Sequence, residues 1–305
     1  MNYASIIKEI GRGAKGSRAL EQEQAAALFG HMLDGQVPPL ELGAILLAFR
    51  IKSETLDELL GFKAAMDART VQLQLPPGPA CVVLPSYNGA RRQSNLMPLL
   101  ALLLARAGVP VLIQGRHDFS ERSDPFALLA ALDVPLAQDA ASAEAALAST
   151  RITAIDVARL LPGMSELLAL RLRLGVRASA HTMVKLIDPC QGRSVRVVAV
   201  THPEYLERMD GFLRADGGRA LLLRGTEGEC YANPRRCPRL QAYAAGESWC
   251  AAEGDGGGAP PLSGLSDEPE VAANAAQIRA MLAGELAIPA PILTQVAVLE
   301  ALAKR

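Results

Sequence analysis

The chain has 305 residues, of which 50% are hydrophobic, and its formal net charge is −1. This length and apolar content suffice for a large core and about two domains. The near-zero charge argues by itself against a nucleic-acid binder, and no apolar run reaches the roughly 18 residues of a membrane-spanning helix. The first 15 residues lack the apolar segment of a secretory signal, so we expect a cytoplasmic protein with no membrane partner.

Cysteine and arginine usage adds two constraints. Five cysteines are scattered without CxxC spacing, so we expect ordinary thiols and no metal site built on them. Six of the 31 basic residues are lysines and the rest are arginines. The planar guanidinium group suits phosphate recognition. A GC-rich coding sequence also enriches arginine, alanine and glycine together, so only the clustering of the arginines is informative.

The first 70 residues are predicted to be helical. Apolar spacing indicates helices at residues 21–34, 40–50 and 54–68. Gly35 is expected to end the first of them, because glycine readily takes the left-handed conformation beyond a helix end. Pro39 suits the first turn of the second helix. Ser53 is predicted to be the N-cap of the third.

After a proline-rich linker, short apolar runs alternate with helical stretches. Strands are predicted at residues 81–84, 109–113, 152–157, 195–200 and 220–223, and helices at 95–107, 123–132, 267–282 and 292–303. Ser123 is the expected cap of the second of these helices. Strands with almost no polar positions are typical of a parallel sheet covered on both faces. Polar stretches at 225–239 and 253–261 are predicted loops. The alternation predicts an α/β fold.

Several segments carry a resemblance to one known family. They are LDG at 33–35, LLAFRIKSET at 46–55, ELLG at 58–61, RAGVPV at 106–111 and RLRLGVR at 171–177. They resemble anthranilate phosphoribosyltransferases and pyrimidine nucleoside phosphorylases, which are glycosyltransferases of family 3. The resemblance implies a small α-helical domain and a larger α/β domain with a mostly parallel central sheet. It places the helical domain at residues 1–72, with a helical insertion near 160–180, and the α/β domain at 78–158 and 185–305.

The segments that bind the phosphoribosyl donor in this family are degenerate here. The glycine-rich GTGGD loop, whose backbone amides approach pyrophosphate, is replaced by PSYNGARR at 85–92, and only Gly89 remains. In the following NIST element only Asn95 is kept, so both phosphate-binding hydroxyls are lost. In the KHGNR element Gly115 is kept, whereas Arg116 and His117 replace the asparagine and arginine.

The remaining donor and metal positions are also altered. Ser120 is followed by an acidic residue where phosphate is bound in the enzymes. The adjacent acidic pair that holds magnesium aligns with Cys230 and Tyr231, although Glu227 and Glu229 lie close by. Magnesium requires nearly octahedral oxygen ligands. We therefore expect no catalytic residues and no cofactor, magnesium included.

The stretches RGTEGE at 224–229 and PRR at 234–236 resemble a bacterial branch of the family without demonstrated transferase activity. That resemblance implies a homodimer that binds DNA or RNA, single- or double-stranded, with little sequence preference. The candidate binding residues are Arg91, Arg92, Arg116, His117, Arg171, Arg173, Arg177, His181, Lys185, Arg224, Arg235 and Arg236. Tyr87, Phe119 and Tyr231 are candidates for stacking on bases. Arg193 and Arg196 form a further basic pair.

Two other hypotheses stay open: a pentosyltransferase with changed donor and acceptor, and a scaffold that binds a small anion without converting it. A basic stretch, such as a helix carrying Arg171, Arg173 and Arg177, is also typical of an ordinary solvated face. At this net charge, nucleic-acid binding requires acidic residues such as Glu253 and Asp255 to face away from the basic groove.

Overall fold

The computed structural model describes residues 1–13, 15–117, 119, 121–190, 192–262, 264–265 and 269–305. It contains a small helical part and a larger α/β part with a mostly parallel sheet, which confirms the predicted fold class. The chain divides into two compact units. The helical unit comprises Met1–Val71 and Val157–Pro189, and the α/β unit comprises Gln72–Asp156 and Cys190–Arg305.

The helices have the following bounds in chain order. They are α1 Tyr3–Ile10, α2 Gln22–Leu33, α3 Pro39–Lys52, α4 Leu56–Asp67, α5 Met97–Arg106, α6 Pro125–Ala131, α7 Ala140–Ser149, α8 Val157–Leu160, α9 Pro162–Ala169, α10 Arg171–Leu174, α11 Ala180–Met183, α12 Pro203–Asp216, α13 Val271–Ala283 and α14 Ala290–Lys304. None of these helices, in the part of the chain that is described, has the length and apolar character needed to cross a bilayer.

An aromatic cluster forms the centre of the helical unit. Phe62 of α4 stacks on Phe29 of α2, with ring centroids 4.5 Å apart, and meets Phe49 of α3 edge-on at 5.2 Å. All three side chains are buried. Such pairs contribute about 0.5–1.5 kcal/mol beyond the burial of their area. The apolar positions that predicted these helices therefore form the core of the unit.

The start of α4 corrects one prediction. Ser53 has a φ of 66° and ends α3, whereas the N-cap of α4 is Thr55. Thr55 Oγ1 accepts from the Glu58 amide, and the Glu58 carboxylate accepts from the Thr55 amide. The Glu58 carboxylate is buried and also accepts from Lys52 Nζ at 2.7 Å. The reciprocal capping bonds explain why the helix begins two residues later than expected.

Eight strands of the described chain form one sheet in the order β3-β4-β2-β1-β5-β6-β7-β8. They are β1 Cys81–Ser86, β2 Val111–Gly115, β3 Leu136–Ala137, β4 Ile152–Asp156, β5 Ser194–Val200, β6 Ala220–Arg224, β7 Leu240–Ala244 and β8 Glu247–Ala252. Neighbours from β3 to β6 are parallel, and β7 and β8 are antiparallel additions at one edge. This antiparallel pair was not anticipated from the sequence, because its strands are only partly apolar.

The register aligns the carboxyl ends of the parallel strands. Ser86 lies opposite Gly115, and Val200 lies opposite Arg224. Strands β1, β5 and β6 are parallel, so the loops after β1 and after β6 leave the sheet at the same edge, and the chain order reverses between β1 and β5. Ligand sites in open α/β sheets lie at this kind of reversal. The fold thus directs attention to the loops at this edge.

Other local predictions also need correction. The N-cap of α6 is Asp124, whose carboxylate accepts from the Phe126 amide, and not Ser123. Arg171, Arg173 and Arg177 do not share a helix, because α10 ends at Leu174. Gly175 follows in the left-handed conformation, which lets the chain turn away before Arg177. His181 lies in α11, and Lys185 lies in the 3-10 turn Val184–Leu186.

Candidate loop and hairpin site

The main candidate site of the α/β unit joins two segments at the carboxyl edge of the sheet. The first is the β1 loop, residues 87–95, and the second is the acidic hairpin, residues 226–229, which follows β6. Thr226 and Glu229 pair through both backbone bonds, at 2.9 and 3.2 Å. Both intervening residues have positive φ, 53° at Glu227 and 93° at Gly228, as a type I′ turn requires.

The Glu229 carboxylate is buried and accepts three hydrogen bonds from the end of β1 and the β1 loop. Ser86 Oγ donates to Oε2 at 2.5 Å. The backbone amides of Asn88 and Gly89 donate to Oε1 at 2.8 and 2.9 Å. Hydrogen bonds to an ionised acceptor contribute about 1.5–3 kcal/mol each. These three donors compensate the cost of burying the charge.

The Glu227 carboxylate continues the same pattern along the β1 loop. The Arg91 amide donates to Oε2 at 2.6 Å, and the Arg92 amide donates to Oε1 at 3.1 Å. Arg122 Nη1 donates to the carbonyls of both Gly89 and Glu227 at 3.2 Å, which ties the two segments together. Arg122 was not among the predicted site residues, because nothing in its spacing distinguishes it from other surface arginines.

The retained residues of the donor motifs have structural partners. A Cβ at Gly115 would lie 1.8 Å from the Ser86 carbonyl, and one at Gly89 would lie 2.2 Å from the Ser123 carbonyl. Asn95 Oδ1 accepts from the Met97 amide at 3.0 Å at the start of α5. Close backbone packing at the two glycines and a local side-chain bond before α5 at Asn95 therefore account for these residues. Ser120 lies outside the described residues.

The predicted stacking aromatics are not free at this site. Tyr231 is buried, receives a hydrogen bond from Gln93 and donates to the Ser94 carbonyl, and burial raises its pKa. Phe119 is buried, with the Arg122 guanidinium over its ring. Tyr87 is half-buried and donates to the Gln114 side chain, and burial also raises its pKa. The prediction that they stack on bases is wrong for Tyr231 and Phe119, because both side chains are buried.

The acidic hairpin does not fit the magnesium site that the family fold implies. The carboxylates of Glu227 and Glu229 already accept hydrogen bonds from backbone amides, so their oxygens are engaged as acceptors and are not set out as near-octahedral ligands. The described residues contain no group of three His, Cys, Asp or Glu side chains able to hold a metal ion. The described cysteines are all free thiols.

The predicted basic residues of the α/β unit fall into two groups. Arg91 and Arg92 have exposed side chains on the β1 loop, and Arg116 and His117 are half-buried after β2. Arg224 and Arg236 are exposed and line one cleft of about 1100 Å³, together with Arg214 and Arg239. Arg235, which directly precedes Arg236 in the chain, is half-buried.

Acidic side chains share the cleft, contrary to expectation. Glu253 and Asp255 line it along with Glu207, Asp210 and Glu227. Asp255 accepts from the Cys237 amide at 2.7 Å, so it belongs to the cleft wall. The cations there act as individual contacts within a mixed surface and do not form a uniform positive field.

The basic pair Arg193 and Arg196 is structural. Arg196 lies in β5, is 1% exposed and pairs with Asp216. Arg193 donates to the backbone carbonyls of Leu75, Pro76 and Gly78. Arg196 is a buried strand residue paired with an aspartate, and Arg193 is bonded to backbone carbonyls of another segment. Neither arginine therefore belongs to a surface cluster.

In the helical unit, a second basic cluster surrounds His181. Burial, and after it the nearby charges of Arg177, Arg171 and Lys185 in that order, together lower the pKa of His181 to about 4. Like charges disfavour protonation only when they lie close by. The structure thus brings four of the predicted residues together, whereas Arg173 is exposed on α10 without a resolved effect on the histidine.

Comparisons with known proteins agree with this architecture. Residues 4–70 match the model of a glycosyl transferase family helical bundle domain. YbiB of Escherichia coli K12, described as uncharacterized, is 45% identical over 242 residues, covering 79% of this chain and 76% of YbiB. Anthranilate phosphoribosyltransferase of Methylocella silvestris is 30% identical over 220 residues, and the chain covers 62% of its length.

Solved structures show the same fold. Anthranilate phosphoribosyltransferase from Thermus thermophilus superposes with a TM-score of 0.75 at 24% identity, covering 99% of this chain and 88% of that one. The Saccharomyces cerevisiae enzyme in complex with PRPP and Mg gives a TM-score of 0.74 at 15% identity, covering 99% of this chain and 88% of the enzyme. At these identities the likeness concerns the fold alone.

Proposed function

Because the chain belongs to the glycosyl transferase family of the anthranilate phosphoribosyltransferases, and its donor loop is filled by its own carboxylates, we propose that it binds nucleic acid without catalysis. The observation that carries this proposal is the exposure of Arg91 and Arg92 on a loop whose backbone amides are already bonded to Glu227. In this loop the backbone binds an internal anion, and the side chains remain available for an external one.

Further cations at the same sheet edge support the proposal. Arg224 ends β6 with an exposed side chain, and Arg236 lines the same cleft. Binding that ignores sequence requires cations that follow phosphates and no base-specific contacts. The mixed charge of the cleft predicts few phosphate contacts, hence a weaker salt dependence than that of a uniformly basic protein.

The homodimer is also a proposal, and it is supported by an apolar face in the helical unit. Leu40, Leu47 and Ile51 lie along α3 with exposed fractions of 82%, 40% and 74%. A groove of about 260 Å³ between α1 and α3 adjoins Leu47 and Ile51. Exposed apolar patches of this kind are typical of protein interfaces. Ile51→Glu is expected to shift the protein to monomer in sedimentation equilibrium, whereas Arg50→Glu is not.

The test of the function is a fluorescence anisotropy titration with labelled single- and double-stranded DNA of random sequence at two salt concentrations. We expect affinity for both that falls as salt rises. Arg92→Gln should weaken binding. Arg151→Gln removes the same charge from an exposed position before β4, at the amino edge of the sheet, and should not.

Two results would contradict the proposal. One is the absence of binding at low salt, or an affinity that does not respond to salt. The other is tight, magnesium-dependent binding of phosphoribosyl pyrophosphate in calorimetry, which would support a transferase with altered specificity. Binding of free phosphate without nucleic-acid binding would favour the small-anion scaffold.

A further inference from the structure

The contact between the acidic hairpin and the β1 loop has the geometry of an anion site that is already filled. Four backbone amides, from Asn88, Gly89, Arg91 and Arg92, point at two carboxylates. Successive backbone N–H groups in such loops form concave sites for phosphate and other anions. Here the anion is part of the chain, and its oxygen atoms lie 2.6–3.1 Å from the amide nitrogens.

The hairpin adopts a costly backbone conformation to make this contact. Glu227 has a φ of 53°, a region that residues with a side chain avoid at a cost of about 1–2 kcal/mol. Asparagine, aspartate or glycine is the usual residue at this turn position. Glutamate has the reach that the contact needs, because its carboxylate must bridge to the amides of Arg91 and Arg92.

The consequence for ligands is electrostatic and steric. A free diphosphate approaching the β1 loop meets two carboxylates and amides that are already engaged. A phosphodiester backbone approaching from solvent meets the exposed side chains of Arg91 and Arg92 instead. The same contact that closes the loop to small phosphates holds it in the conformation that presents these two guanidinium groups.

We propose that Glu227 and Glu229 are specificity-determining residues, whose carboxylates replace the phosphates of a small diphosphate and hold Arg91 and Arg92 outward for a phosphodiester chain. The second half of this inference rests on the proposed nucleic-acid binding, whereas the first half does not. Glu227 is then a positioning residue that acts through the arginines and does not itself touch the nucleic acid.

The first test uses inorganic pyrophosphate, without metal, in calorimetry. Glu227→Gln keeps the size of the side chain and removes its charge. Glu227→Gly removes the carboxylate and relieves the positive φ, so the two variants perturb the fold differently, and circular dichroism and melting curves identify a defect in either. We expect both variants to bind pyrophosphate at least about tenfold more tightly than the wild type, because glycine frees the amides and glutamine offers them only a neutral acceptor, which an ionised phosphate displaces.

A second test separates positioning from simple charge. Removing an acid raises the net charge by one, which by itself predicts tighter binding of a polyanion. Positioning predicts the opposite: Glu227→Gln should bind DNA about threefold more weakly, because the arginines lose their fixed geometry. The control is Glu207→Gln, an exposed acid lining the neighbouring cleft, which should bind DNA as tightly as the wild type or more tightly.

The outcomes are distinct. If both Glu227 variants fold and neither gains pyrophosphate binding, the proposal that the carboxylates take the place of phosphates is wrong. If Glu227→Gln binds DNA as tightly as the Glu207→Gln control, the positioning role is wrong. A wild type that fails to bind DNA removes the proposed function alone, since the pyrophosphate titration still decides whether the hairpin excludes small phosphates.

Discussion

Two basic regions, the β1 loop and the segment around His181, differ in how their charges are surrounded. In the β1 loop, the Glu227 carboxylate bonds to the backbone while Arg91 and Arg92 are exposed. Around His181, burial and neighbouring cations together suppress protonation of the imidazole. A count of arginines therefore says little about local potential, because the backbone and buried groups decide where an anion finds donors.

The strongest effect should come from the buried half of the acidic hairpin. Glu229→Ala should lower the free energy of unfolding by about 3 kcal/mol, because Ser86 and the amides of Asn88 and Gly89 lose a charged acceptor. Urea denaturation measures this loss. Glu253→Ala, an exposed acid of the same unit, should change stability by less than about 0.5 kcal/mol. A loss below about 1 kcal/mol for Glu229→Ala would mean that the carboxylate is not needed by the loop.

The next effect concerns the tip of the hairpin. Gly228→Ala should destabilise the protein by about 2 kcal/mol, since φ is 93° and the added Cβ would lie 2.7 Å from Asn88 Nδ2. Gly211, in α12 with open space around it, is the matched control, and Gly211→Ala should stabilise by up to about 1 kcal/mol. Thermal melting should give a lower melting temperature for Gly228→Ala and a higher one for Gly211→Ala than for the wild type. Equal shifts would show that the hairpin tip tolerates a side chain.

The stability of the helical unit should depend on pH through His181. His181 has a folded-state pKa of about 4, against 6.5 when unfolded, so the unfolded chain binds the extra proton between these values. This contribution to stability is fully present above pH 6.5 and is lost as the pH falls toward 4. After a discount for partial exposure, it amounts to about 2 kcal/mol. Denaturation of His181→Gln across this range should lack that slope, and an unchanged slope would assign it to other groups.

The weakest effect compares the two regions directly in DNA binding. Arg91→Gln with Arg92→Gln should reduce the slope of log affinity against log salt by about two, one for each lost phosphate contact. Arg171→Gln with Arg177→Gln should reduce it by less at about pH 5.5 than at about pH 8, because removing these cations raises the pKa of His181 and favours its protonation. Equal reductions at about pH 5.5 and about pH 8 would argue against this compensation by the histidine.

The fold class and much of the core follow from local patterns in the sequence. Apolar spacing predicted the helices that pack through Phe29, Phe49 and Phe62, and near-continuous apolar runs predicted the parallel strands. These patterns are local consequences of periodicity and burial. The loss of the donor motifs was also readable, because it depends only on which residues stand at which positions. Cap positions failed by one or two residues, since competing side chains such as Thr55 and Asp124 were available nearby.

The use of the altered loops, in contrast, depends on contacts between distant parts of the chain. In the sequence, Glu227 and Glu229 are only acids close to the former metal-binding pair, whereas the fold places them on the amides of a loop more than 130 residues away in the chain. It buries Arg196 against Asp216 and places Glu253 in the cleft with Arg236. Such pairings join distant segments at one sheet edge, and no local pattern of residues specifies which carboxylate will meet which amide.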